Sequence, residues 1–186
     1  MVEYAKEHVR SLDGTSIGYR KYGRGPGVIL VHGGMKAAQH FSKLAEILSR
    51  EYCVYVSDRR GRGMSGPYRD GYLVQREVED MQALAAETDA RRIFGLSSGA
   101  LVSLRTALLT PELQRVALYE PPLSVNGSVP TAWLERFDRE VAAGRRGTAL
   151  ITAMKAIGTE PLFARVPCFV LAHHGDRTPH SGRWLR

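Results

Sequence analysis

Apolar side chains change their spacing along this chain in a regular order. His8–Leu12 and Ser16–Tyr22 alternate apolar and polar residues on either side of Asp13-Gly14-Thr15, the pattern of an antiparallel hairpin around a tight turn. Gly27-Val28-Ile29-Leu30-Val31 is then apolar without interruption, as expected of a strand buried on both faces. Ala38–Arg50 places Phe41, Leu44, Ile47 and Leu48 on one helical face. A second short apolar run, Tyr52–Val56, ends in Ser57-Asp58, and Arg59–Gly71, rich in glycine and arginine, reads as loop. Leu73–Thr88 returns to helical spacing through Val74, Val78, Met81, Leu84 and Ala85. Arg92-Ile93-Phe94 predicts a third buried strand, Ala100–Leu109 a helix, and Val116–Tyr119 a fourth strand ending at Glu120-Pro121-Pro122.

Strand and helix in strict alternation after a hairpin predict an α/β fold with a doubly wound, mostly parallel sheet. The rhythm stops at Pro122. Thr131–Ala142 and Gly147–Ile157 read as two amphipathic helices with no strand between them, a partial helical cap. Val166–Ala172 is one further apolar run, followed by the polar tail His173–Arg186. The expected division is a core over 1–122, a partial cap over 123–165, and a possible late strand with tail over 166–186.

Composition excludes more than it identifies. The 186 residues, 44% hydrophobic and 24% charged, suit one ordinary globular domain with a sizeable core. No apolar run approaches the ~18 residues a membrane span needs. The first residues carry acids and lysine where a signal peptide would be apolar, so a cytoplasmic protein with no membrane partner is expected. Cys53 and Cys168 sit in apolar runs and read as buried free thiols, too few for a zinc site, so no metal is expected. The formal charge of +7 is scattered among acids, as in Arg136-Phe137-Asp138-Arg139-Glu140, with no basic stripe interleaved with aromatics. Nucleic acid is therefore not an expected partner.

The candidate chemistry lies where parallel strands end, which is where open α/β sheets bind ligands. Gly95-Leu96-Ser97-Ser98-Gly99 follows the third parallel strand and precedes an apolar helix. A strand that turns this sharply into a helix pushes the serine hydroxyl above the sheet edge and needs small residues two before and two after it, here Gly95 and Gly99. The backbone N–H of Ser98, at the helix start, would face an anion forming beside Ser97. His32-Gly33-Gly34, after the first parallel strand, offers the N–H of Gly34 as the second half of an oxyanion hole; His32 itself reads as tied to the loop backbone.

With Asp58-Arg59-Arg60-Gly61-Arg62-Gly63-Met64-Ser65-Gly66, these motifs resemble the α/β-hydrolase superfamily, over roughly Val9 to Pro122. The resemblance implies an α/β-hydrolase sheet whose last strands are missing, and helices after Pro122 that begin the family's cap. It implies a serine hydrolase with no cofactor, in which Ser97 attacks the acyl carbon of a small ester, amide or related substrate. The oxyanion would be held by Gly34 and Ser98, and the acyl-enzyme hydrolysed by water activated on a histidine. A serine at the elbow argues against dehalogenase and epoxide-hydrolase chemistry, which uses an aspartate there.

Two features compete with that picture. Gly61-Arg62-Gly63-Met64-Ser65-Gly66 matches the dinucleotide fingerprint G-x-G-x-x-G, but a helix should open on its last glycine and here Pro67–Gly71 intervenes. The family order of nucleophile, acid and histidine is also hard to complete. Glu120 and Asp176 are the candidate acids, and His173, His174 and His180 the candidate bases. In the tail the family's usual aspartate position holds Thr178, and His180 is only four residues beyond Asp176. The alternative to an active enzyme is therefore a truncated, non-catalytic hydrolase fragment or binding protein without a complete triad. The oligomeric state is left open.

Overall fold

Asp13 starts the fold by turning the chain back on itself. Its carboxylate accepts the N–H of Thr15 at 2.9 Å, and Ser11 N–H reaches Thr15 O at 2.9 Å, closing the hairpin between β1 (Tyr4–Arg10) and β2 (Ser16–Tyr22). The structure, a computed structural model, describes residues 3–156 apart from 70 and 129. Within that range the chain forms two compact units, one up to Pro122 and one from Leu123 onward.

The first unit is built on six strands in the order β1-β2-β4-β3-β5-β6. The remaining four are β3 (Gly27–Val31), β4 (Cys53–Ser57), β5 (Arg92–Leu96) and β6 (Arg115–Tyr119). β1 with β2 and β2 with β4 are antiparallel; β4, β3, β5 and β6 run parallel. The mostly parallel α/β sheet expected from the alternation is present. β1 begins earlier than its pattern predicts, because this edge strand buries only Val9 and leaves Tyr4, Ala5 and Lys6 exposed, so alternation does not mark its start.

Three helices cover the sheet: α1 (Ser42–Leu48), entered through a single tight turn at Ala38–Phe41, α2 (Val74–Thr88) and α3 (Ser98–Leu108). The central strand explains why its sequence is apolar throughout. Ile29 and Val31 of β3 join Met81 and Leu84 of α2 and Val102 of α3 in one core cluster, while Leu30 joins Phe41, Ala45, Val54 and Val56 in another. Alternate side chains point to opposite faces, so a strand covered on both sides must be apolar at every position. Cys53 is a buried free thiol of the first cluster; Cys168 lies outside the described residues.

The second unit contains α4 (Leu134–Ala142) and α5 (Arg146–Ala156). Glu140 of α4 is buried and is held by Arg136 Nε at 2.8 Å and by the Thr152 hydroxyl of α5 at 2.7 Å, which ties the two helices together. The apolar run Val166–Ala172 and the tail lie outside the described residues. Among the described residues no helix is long and apolar enough to cross a membrane.

Candidate active site

The chain leaves β3 toward β4 on one side and returns to β5 on the other, so the ends of β3 and β5 form the switch point of the sheet. Val31 and Gly95 are opposite one another across that pair, which brings the two loops that follow them side by side. The glycine pair Gly33-Gly34 and the elbow at Ser97 lie on those two loops.

Ser97 occupies a left-handed conformation, with φ at 53° and ψ at −123°. A serine pays for this region in strain unless its surroundings hold it there. They do so on three sides. Ser97 N–H donates to Tyr119 O of β6 at 2.9 Å, Ser97 O accepts Ala100 N–H at 2.8 Å, and Gly33 packs so closely that a Cβ on it would stand 3.1 Å from Ser97 Cβ. Gly95 faces Ala100 Cα and Gly99 O, where a Cβ would stand at 2.5 Å. The hydroxyl is thus carried on a fixed backbone at the end of β5, next to the first turn of α3, whose leading N–H groups have no partner within the helix.

The geometry also shows how Gly34 is aimed. Gly33 O accepts from His32 Nδ1 at 2.9 Å and from Arg62 Nη1 at 3.3 Å. In a planar trans peptide the N–H points opposite to the carbonyl it is joined to. Clamping Gly33 O from within the protein therefore fixes the direction of Gly34 N–H. A Cβ on Gly34 would lie 3.9 Å from Ser98 Oγ, so Gly34 and Ser98 face each other. Met35, with φ at 53°, continues the loop in a second left-handed residue and is exposed.

His32 is fully buried and both its ring nitrogens are engaged. Nδ1 is bonded to Gly33 O, and Nε2 accepts the backbone N–H of Arg59 at 3.1 Å. Burial, reinforced by the positive charges of Arg59 and Arg62, outweighs the Gly33 bond and holds its pKa down to about 4. A neutral ring with both nitrogens spent is a brace for the loop and has no lone pair to offer a nucleophile.

Two arginines from the loop after β4, which the sequence marks only as loop, are buried. Arg59 pairs with Glu77 of α2 through Nε and, at 2.8 Å, through Nη2; its Nη1 reaches Ser98 Oγ at 2.8 Å and His32 O at 3.2 Å. Arg60 pairs with Asp80 of α2 at 2.7 Å and with Asp13 of the hairpin turn at 2.6 Å. The available signal was Glu77 and Asp80, two acids one turn apart on the apolar face of α2.

A model of the alpha/beta hydrolase family matches residues 28–186. The chain belongs to that family. It is 37% identical over 123 residues to N-formylmaleamate deformylase of Pseudomonas putida, which is 63% of this chain and 46% of that relative. It is 31% identical over 132 residues to pimeloyl-acyl-carrier protein methyl ester esterase of Stenotrophomonas maltophilia, 68% of this chain and 50% of that one. The crystal structure of an alpha/beta hydrolase from Sphaerobacter thermophilus is similar with a TM-score of 0.75 at 37% identity, covering 90% of this chain and 70% of that one. The chain spans about half the length of the curated relatives it matches.

The hydrolase fold accounts for the glycines that mimic a dinucleotide fingerprint. Gly61 N–H closes on Gly66 O at 2.8 Å, Gly61 packs against the Tyr68 ring, and a Cβ on Gly63, at φ 52°, would stand 2.2 Å from the Asp58 carboxylate. α2 opens only at Val74, well past the last glycine, so no helix opens on Gly66 as the dinucleotide fingerprint requires. The loop is structural: Asp58 accepts from Arg20 at 2.9 Å, from Ala38 N–H at 2.8 Å and from Met64 N–H at 3.2 Å.

Of the candidate triad partners, Glu120 follows β6 directly, is exposed, and adopts φ 47° beside Tyr119, whose carbonyl holds Ser97. His173, His174, Asp176 and His180 lie outside the described residues. Among the described residues no group of three or more His, Cys, Asp or Glu side chains could hold a metal ion.

Proposed function

We propose that this chain is a serine hydrolase that acts on a small ester, amide or related acyl substrate through an acyl-enzyme on Ser97. The observation that carries this reading is the backbone of Ser97, held in a left-handed conformation between β5 and α3 with Gly33 against it and Gly34 near the following Ser98. Such strain is retained where surrounding structure enforces it, and here it lifts one hydroxyl out of the sheet edge.

In this mechanism Ser97 Oγ forms a bond to the acyl carbon while its proton passes to a histidine base. The carbonyl electron pair moves to oxygen, where Gly34 N–H and Ser98 N–H receive the charge. Collapse breaks the bond to the alcohol or amine, which leaves with the proton from the histidine. Water, giving its proton to the same base, then releases the acid and restores Ser97. His173, His174 and His180 are the candidate bases, and Glu120 and Asp176 the candidate acids. We also assign the segment 123–165, as its sequence pattern suggests, to a partial helical cap. The names of the two relatives, a deformylase and a methyl ester esterase, fit acyl-transfer chemistry on a serine.

Reaction of the purified chain with a fluorophosphonate probe tests the proposal. Labelling that disappears in Ser97→Ala establishes the activated serine, and His173→Ala, His174→Ala and His180→Ala identify the base by loss of labelling. A folded chain that takes up no probe sinks the enzyme reading in favour of a non-catalytic binding protein.

A further inference from the structure

The side chain of Ser98 has a partner that a simple turn does not require. Its Oγ accepts from Arg59 Nη1 at 2.8 Å, while the remaining guanidinium nitrogens of Arg59 are taken by Glu77. Arg59 is 7% exposed and Glu77 1%, so this is a buried ion pair set against one hydroxyl at the start of α3. Burial alone would raise the Glu77 pKa, but the hydrogen bond and charge of Arg59 outweigh it and keep the carboxylate ionised, with the Tyr72 hydroxyl as a further donor.

A serine hydroxyl has one proton and two lone pairs, and arginine can only donate. Arg59 therefore takes a lone pair, and the hydroxyl proton must point away from the cation. Ser98 Oγ also lies near Gly34, where a Cβ on that glycine would come to 3.9 Å, so the free O–H is within reach of the Gly34 side of the site. A hydroxyl that accepts from a cation is polarised, and its own O–H becomes a stronger donor.

We infer that the Ser98 hydroxyl is a third donor to the oxyanion, beside the N–H groups of Gly34 and Ser98. Arg59, anchored by Glu77, is the positioning residue that aims and polarises it. This inference rests on Ser97 being the nucleophile. Neither Ser98 nor Arg59 forms a covalent bond or loses a proton: the O–H donates to the acyl oxygen as the electron pair arrives there and releases it on collapse.

The test uses the full chain, with kcat and KM for p-nitrophenyl acetate and the rate of fluorophosphonate labelling as readouts. Ser98→Ala keeps the backbone N–H and removes the hydroxyl; kcat and the labelling rate should fall about 100-fold with KM little changed, the size of effect expected for one oxyanion donor. Ser98→Thr should restore most of the rate. Removing the ion pair as a unit, Arg59→Met with Glu77→Leu, avoids leaving one buried charge alone. Where a thermal melt shows this double variant folded, it should also lower kcat, yet cost little more when combined with Ser98→Ala. Wild-type labelling with an unaltered rate in Ser98→Ala overturns this inference and leaves the Ser97 reading intact. A wild-type chain that takes no label overturns both.

Discussion

Gly99 lies against the carbonyls of His32 and Val31, so close that a Cβ on it would stand 2.4 Å from His32 O and 2.5 Å from Val31 O. Both contacts are backbone, which cannot swing aside as a flexible side chain would. Gly99→Ala must therefore push α3 away from the end of β3. Alanine within a helix ordinarily gains up to about 1 kcal/mol over glycine. Overpacking at this position should reverse the sign and destabilise the chain by about 2 kcal/mol, measured by urea denaturation. Because the same displacement moves Ser98 relative to Gly34, labelling of Ser97 should fall in the protein that remains folded. A more stable Gly99→Ala chain would contradict the packing described.

The burial of His32 makes stability depend on pH in a definite direction. The ordinary histidine pKa is about 6.5, and in the folded chain burial holds it down to about 4. Between those values the unfolded chain binds a proton that the folded chain refuses. The contribution of His32 is therefore complete above the unfolded pKa and is lost progressively as pH falls toward about 4, for a total of about 3 kcal/mol. His32→Gln removes that titration. Urea melts of both proteins at pH 7 and near pH 4.5 should show a larger acid-induced loss in wild type than in the variant. Equal losses would mean that the ring is protonated in the folded state.

The elbow and the sheet were legible in the sequence for the same reason. Their requirements are local: Gly95 and Gly99 are needed wherever a strand turns at once into a helix, and β3 must be apolar throughout because both faces are covered. Those demands leave a mark within a few residues. The pairing of Arg59 with Glu77 and of Arg60 with Asp80 spans 18 and 20 positions, so the loop shows only its glycine and arginine content. The one trace is two acids on the apolar face of α2, which do not name their partners. The role of His32 was half legible. Its tie to the loop backbone follows from a histidine before two glycines, but its clamp on the Gly33 carbonyl, and through it on Gly34 N–H, depends on Arg59 and Arg62 folding over it.

Arg60 supplies the last prediction. It is 1% exposed and its guanidinium bridges Asp80, equally buried, to Asp13 at the hairpin turn, with Ser11 and Thr15 hydroxyls as further acceptors. The two carboxylates respond differently. The hydrogen bond from Arg60 holds Asp13 well below the usual carboxylate range, whereas burial raises Asp80 even though Arg60 pairs with it. Asp80 is thus the group that depends on its partner for its charge. Arg60→Met leaves that carboxylate buried and alone, and should cost about 3–5 kcal/mol. Arg60→Met with Asp80→Leu removes the stranded charge and should recover a large part of the loss, since Asp13 can turn toward water. Urea denaturation of both variants decides the matter. If the double variant is no more stable than the single one, the pair acts through the shape of the loop and not through charge.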